Sequence, residues 1–313
     1  MNSHSAMCSE PRLDYVMCAS PAGTHRMAYW EWGDPDNHNI LLCVHGLTRS
    51  GRDFDALAQA LSSHYRVVCP DVVGRGASDW LLDPTYYAIP QYVADMLTLI
   101  ARLKPATLDW VGTSMGGLIG MGLAGSVAVS AQLRLSHPLS LPVLQQIPLG
   151  KLVLNDVGPA LSWEGLQRIG DYVGIPVQFA SFAEAVAYVR QTLAGFGPHT
   201  DAEWEDMTRI AFVRTAEGPW IKHYDLRIAL PFTTQTEAAM QLAEQMLWQS
   251  YQSWPHQVLI MRGQQSDLLG ASTVQEMVAR HPAAHSVEVA GVGHAPTLRH
   301  ADQIAIVEQF LMG

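Results

Sequence analysis

Gly112-Thr113-Ser114-Met115-Gly116-Gly117 closes a short apolar run, 108–111, and turns directly into a helical pattern, 115–125. A Gly-x-Ser-x-Gly pattern alone says little, because both residue types are common. Between a strand and a helix it predicts a turn so sharp that the serine is forced into strained backbone geometry. The residues two positions to either side must then lack side chains, so that strand and helix can approach. Gly112 and Gly116 meet that need. The bland alternative is a glycine-rich turn with an incidental serine.

The same rhythm extends in both directions. Short apolar, β-branched runs alternate with helical patterns, the mark of an α/β fold with a mostly parallel sheet flanked by helices on both faces. Residues 13–19 and 26–32 read as two opening antiparallel strands, and 40–44 and 66–70 as further strands separated by an amphipathic helix, 54–61. Pro90 opens a helix to about residue 103, with Val93, Met96, Leu97 and Ile100 on one face. Residues 151–155, 257–261 and 286–290 continue the strand series, and 302–311 is a closing helix.

Two stretches break the rhythm. Residues 126–150 are long for a helix-to-strand connection and carry Pro138, Pro142 and Pro148, which predicts an irregular excursion. Residues 158–247 have helical patterns and many aromatics but no clear strand run, and read as an inserted helical lid. The core is then 1–157 together with 248–313.

Composition narrows the function classes. With 48% hydrophobic and 15% charged residues the 313-residue chain is globular, and its formal net charge of −10 argues against nucleic acid or an anionic membrane as partner. Residues 1–12 lack the basic end and apolar stretch of a secretory leader, and no uncharged apolar run, the best being 119–131, has the length of a membrane span. The four cysteines, Cys8, Cys18, Cys43 and Cys69, form no CxxC or Cys/His ligand set. Cys43 and Cys69 sit in strand-like runs and read as buried thiols. A reducing cytoplasm, no metal, no cofactor and a small-molecule substrate are expected. Oligomeric state, a homo-oligomer included, is left open.

A serine hydroxyl is a poor nucleophile unless a base removes its proton during attack. Gly291-Val292-Gly293-His294 follows the last strand, and its glycines let the loop return an imidazole to Ser114, which makes His294 the candidate base. His281, His285 and His300 lie on apparent surface elements and read as solvated. The imidazole needs a carboxylate to fix its tautomer. Asp267, beyond the end of strand 257–261, is favoured on the chain order Ser, Asp, His. Asp156, at the end of the preceding core strand, is its rival, with anchoring the lid as its other reading. The oxyanion needs backbone donors: the N–H of Met115, and that of Leu47 after the His45-Gly46 strand end. His45 reads as a structural residue holding that loop. The glycines and Asp71 of 71–80 are expected to shape the pocket wall, with Trp80 facing substrate or packing.

His45-Gly46-Leu47, the Asp71-x-x-Gly74-x-Gly76-x-Ser78 loop, Gly112-Thr113-Ser114-Met115-Gly116 and Gly293-His294 together resemble the α/β-hydrolase superfamily, over nearly the whole chain apart from the lid and the 126–150 excursion. More narrowly, Asp71 to Trp80, Pro90-Gln-Tyr-Val-Ala-Asp95 and Leu154-Asn-Asp-Val-Gly-Pro159 look like intracellular hydrolases of 3-hydroxybutyrate oligomers and similar short esters. The resemblance implies carboxylic-ester hydrolysis through an acyl-enzyme. Dehalogenases and epoxide hydrolases of the superfamily use an aspartate nucleophile, which Ser114 excludes. Carbon–carbon bond hydrolases and enol-lactonases share every catalytic residue and call for an Arg or His near the pocket. A ligand sensor on a hydrolase scaffold is the non-enzymatic alternative. Within the lid, Trp220, His223 and Tyr224 are the expected substrate contacts, in a largely apolar pocket.

Overall fold

The computed structural model describes residues 10–135, 147–231 and 237–313. Strands β1 (Arg12–Ser20), β2 (Gly23–Trp32), β3 (Asn39–Val44), β4 (Arg66–Pro70), β5 (Thr107–Thr113), β6 (Leu149–Asn155), β10 (Val258–Gly263) and β11 (Ala284–Val289) form one sheet in the order β1-β2-β4-β3-β5-β6-β10-β11. The opening pair is antiparallel, as its position predicts, and from β4 to β11 every pairing is parallel. The alternation of β3 shows why such strands read as unbroken apolar runs. Ile40, Leu42 and Val44 face one helix layer while Leu41 and Cys43 face the other, so both faces are buried.

Helices α1 (Asp55–Leu61) and α9 (Ala301–Met312) cover one face, with Leu57, Leu61, Val307 and Leu311 in its core. Helices α2 (Ile89–Leu103), α3 (Met115–Leu135), α7 (Glu237–Gln252) and α8 (Ala271–Arg280) cover the other. Helix α2 starts with Pro90 in its first turn and stops at Lys104, a left-handed cap at φ 49° followed by Pro105. Of the cysteines, Cys18, Cys43 and Cys69 are buried free thiols, and Cys8 lies outside the described residues.

Three sequence expectations change. First, α3 continues past Ser126 to Leu135, because no proline interrupts that stretch; the rest of the expected excursion, through residue 146, lies outside the described residues. By length and composition alone, residues 115–133 of α3 would suffice to cross a membrane, although its opening turns are buried against the sheet. Second, one helix, α7, runs through the expected lid-to-core boundary at 247; it packs along α3, with Trp248 and Tyr251 in the main core. Third, the lid is not wholly helical. Besides α4 (Trp163–Val173), α5 (Phe182–Thr192) and α6 (Asp201–Ala211), it holds a small antiparallel sheet, β7 (Gln178–Phe179), β9 (Trp220–Lys222) and β8 (Phe212–Arg214), in that order. Strands of two or three residues are too short to show a period. The lid has its own core around Val189, Trp204, Met207 and Phe212.

Candidate active site

The turn from β5 to α3 is as tight as its glycines imply. A Cβ on Gly112 would lie 2.5 Å from the backbone of Gly116, and one on Gly116 would lie 1.9 Å from the Val44 carbonyl oxygen. Ser114, between them, is held at φ 52°, in the left-handed region. Its N–H donates to the Asn155 carbonyl at 3.0 Å, which fixes the turn to the end of β6.

His294 comes from the loop between β11 and α9. Gln265 N–H donates to the Val292 carbonyl at 2.8 Å, and Asn155 Nδ2 donates to the Pro296 carbonyl at 2.8 Å, so the loop is pinned on both sides of the imidazole. Ser114 Oγ lies 2.9 Å from His294 Nε2, and His294 Nδ1 lies 2.7 Å from Asp156 Oδ2. With Nδ1–H donating to the carboxylate, Nε2 is left free to accept the serine proton. Asp156 is fully buried. It also accepts from Gly263 N–H at 2.8 Å and Ser266 Oγ at 2.7 Å, so both of its oxygens are occupied.

The expected orienting acid, Asp267, is not at the imidazole. It pairs with Arg168 of α4, through Nε and through Nη2 at 2.9 Å, at the cavity edge. Burial works against its ionisation, but the Arg168 hydrogen bonds outweigh that and hold its carboxyl below the usual range. Asp156 is the partner because β6 lies between β5 and β10, so its end lies beside Ser114. Chain order did not separate the two, since both aspartates lie between residues 114 and 294.

The cavity beside Ser114 and His294 measures about 370 Å³. Leu47, Phe54, Ile169, Leu193, Phe196 and Met207 give it apolar walls; Arg49, Arg168, Gln191, Gln265, Thr297 and Arg299 supply polar groups. The four expected substrate contacts are elsewhere. Trp80 is exposed, Trp220 packs on Phe182 at 4.9 Å, and the His223 backbone bonds to Ala211 and Gly76. Tyr224 is buried with its hydroxyl on the Val173 carbonyl, 2.9 Å away. These residues lie along the lid's own sheet and its seam with the 71–80 loop, whereas α4, α6 and the 191–196 segment roof the cavity. No periodicity in the lid separates roofing residues from packing ones.

Two further sequence readings are settled by contacts. Asp71 is no pocket wall: it accepts from Gly51 and Ala77 N–H at 2.7 and 2.8 Å and ties its own loop to residue 51. His281, read as solvated, is buried against the Trp254 carbonyl, 3.0 Å from Nε2; His285 is exposed, and half-buried His300 stacks on His199.

His45 does hold the loop that follows β3. Fully buried, it donates through Nδ1 to the Gly46 carbonyl at 2.7 Å and accepts at Nε2 from Val72 N–H at 2.9 Å. Gly46 is beside Ser114: a Cβ on it would lie 3.7 Å from the Ser114 Cβ. Arg75 braces the same region, with Nε donating to the Leu47 carbonyl at 2.8 Å and Nη2 meeting Met115 Sδ at 3.6 Å. No sequence pattern marked that role for Arg75.

Burial, with smaller help from the cations of Arg75 and Arg49, pushes His45 down to about 4 from 6.5. Between those values the unfolded chain binds a proton the folded one refuses, so this stabilisation is present above pH 6.5 and is lost as pH falls toward 4. Its full size is about 3 kcal/mol. Burial pushes Asp71 up to about 6, which tilts stability the other way over an overlapping range. The wild type is therefore expected to gain stability over His45→Gln as pH rises from 4 to 6.5, the difference cancelling Asp71. Denaturant unfolding of both proteins across that range checks it; a pH-independent difference would refute the assignment.

A model of the alpha/beta hydrolase family matches residues 41–307. The chain is 50% identical over 311 residues to the 3-hydroxybutyrate-oligomer hydrolase of Cupriavidus necator, covering 98% of this chain and all of that one. It is 27% identical to the pimeloyl-[acyl-carrier protein] methyl ester esterase of Xanthomonas oryzae, over 85% of this chain and 91% of that one. Among solved structures, a hydrolase from Rickettsia typhi aligns with a TM-score of 0.81 at 29% identity, covering 96% of this chain and 99% of the other. An alpha/beta hydrolase from Novosphingobium aromaticivorans aligns at 0.78 with 32% identity, over 97% and 99%.

Proposed function

The chain belongs to the alpha/beta hydrolase family, and from that premise we propose that it is a serine carboxylic-ester hydrolase, acting through an acyl-enzyme on small, mainly apolar esters that include 3-hydroxybutyrate oligomers. The observation that carries the reading is the continuous relay Ser114 Oγ, His294 Nε2, His294 Nδ1, Asp156 Oδ2, with links of 2.9 and 2.7 Å. His294 takes the proton as Ser114 attacks the ester carbonyl, then gives it to the leaving alcohol. Water, activated by the same nitrogen, releases the acid and restores Ser114. Asp156 holds the tautomer and stabilises the imidazolium. The N–H of Leu47 and of Met115, the latter at the start of α3 where no preceding turn supplies an acceptor, receive the oxyanion.

The relative from Cupriavidus necator supports the oligomer substrate, and the apolar walls support an uncharged acyl chain. Three buried free thiols support a reducing, cytoplasmic setting. The arginines of the cavity also satisfy the condition set by the carbon–carbon reading, so the substrate panel includes a vinylogous diketone.

A fluorophosphonate should form one covalent adduct per chain, on Ser114, losing fluoride, and block turnover of p-nitrophenyl butyrate in proportion. That ester should show a burst near one equivalent of p-nitrophenol, and 3-hydroxybutyrate dimers and trimers should be cleaved faster than the diketone. Adduct mapping by peptide mass decides the nucleophile. A label elsewhere, or turnover surviving complete labelling, refutes it.

A further inference from the structure

We propose that Arg299 forms a carboxylate subsite in the cavity, so that the preferred esters are those whose alcohol half ends in a carboxylate, as the last unit of any hydroxy-acid oligomer does. This rests on the ester-hydrolase reading and names the substrate class of that same site.

The argument is a count of charges and their partners. Three arginines, Arg49, Arg168 and Arg299, and two aspartates, Asp53 and Asp267, line the cavity. Arg49 is closed by Asp53, with Nε–Oδ2 and Nη2–Oδ1 separations of 2.7 and 2.6 Å. Arg168 is closed by Asp267. Asp55, which feels the charge of Arg299, is itself paired with Arg52. Among the described residues, Arg299 donates no hydrogen bond and has no carboxylate within the 4.0 Å of an ion pair, although it is half-buried. One arginine without a hydrogen bond or ion pair among the described residues thus lines the cavity of a chain whose net charge is −10.

A guanidinium offers a planar fork of N–H donors that matches a carboxylate, and a partly dehydrated site strengthens the pair relative to water. The position suits the chemistry. Arg299 and His294 belong to one loop, fixed by Asn155 Nδ2 on the Pro296 carbonyl at 2.8 Å and by Leu298 N–H on Gln303 Oε1 at 2.8 Å. His294 protonates the leaving alcohol, so the alcohol half of the ester lies toward that loop. In a hydroxy-acid oligomer the free carboxylate is on that same half. The subsite therefore acts on acylation, and the carboxylate it holds departs with the alcohol product.

The test compares the 3-hydroxybutyrate dimer with its terminal carboxamide, which keeps the scissile ester and removes the charge. The wild type should show kcat/KM about 10- to 100-fold higher for the acid. Arg299→Gln should lose that factor on the acid, change the amide less than about 3-fold, and Arg299→Lys should retain part of the preference, since the charge remains. High salt should narrow the wild-type preference. Equal losses on both substrates, or none on either, overturn the subsite. If Arg299→Gln does not fold by thermal unfolding, the wild-type acid-to-amide ratio and Arg299→Lys still decide. Wild type that cleaves p-nitrophenyl butyrate but treats acid and amide alike refutes this inference alone; wild type that cleaves no ester refutes the reading beneath it.

Discussion

Asp156→Asn is expected to lower kcat for p-nitrophenyl butyrate about ten-thousand-fold, whereas Asp267→Asn should lower it less than tenfold. An amide at position 156 presents N–H to His294 Nδ1 and drives the ring into the tautomer with Nε2 protonated. That nitrogen can no longer accept the proton of Ser114, 2.9 Å away. The fold should survive better than the activity, because the amide oxygen can still accept from Gly263 N–H, as Asp156 Oδ1 does at 2.8 Å. Asp267 is half exposed and bound to a half-exposed Arg168, so its loss should cost at most about 1 kcal/mol of stability and act mainly on KM through the cavity edge. Steady-state kinetics of the two variants, with thermal unfolding alongside, separates these roles. A larger loss of kcat from Asp267→Asn would reverse the assignment of the acid.

Ser114→Ala carries the other large effect. Removing the attacking oxygen should cost about a million-fold in kcat. Residual turnover above one part in a thousand, after contaminating activity is excluded by fluorophosphonate treatment, would place the nucleophile elsewhere. The same position allows a second readout independent of chemistry. Ser114 sits at φ 52°, a conformation that costs a residue with a Cβ about 1 kcal/mol and glycine almost nothing. Ser114→Gly should therefore be inactive yet more stable than Ser114→Ala. Stability order and activity loss together distinguish a strained nucleophile from an ordinary core serine.

The two aspartates show how far a sequence can be read. Both lie past the ends of strands and between the serine and the histidine, and both would satisfy the carboxylate requirement in a list. What separates them is reach, and reach follows from the order of strands across the sheet, which puts the end of β6 beside that of β5. The lid was legible as an insertion because it interrupts the strand rhythm. Its small sheet was not, since β7, β8 and β9 span only two or three residues each. Helix α7 runs across the boundary drawn at 247, and only its packing on α3 ties its second half, with Trp248 and Tyr251, to the core.

Sequence by itself determined the parts governed by near neighbours. The strands buried on both faces, the turn that needs glycine on either side of Ser114, and the loop that carries His294 all follow from sterics and patterning over a few residues. Tertiary structure alone decided which carboxylate meets the imidazole, which lid residues roof the cavity, and that Arg299 among its arginines has no ion-pair partner among the described residues. Those outcomes depend on distances between segments far apart in the chain, as Asp156 and His294 are, and so on how whole layers pack rather than on any local run.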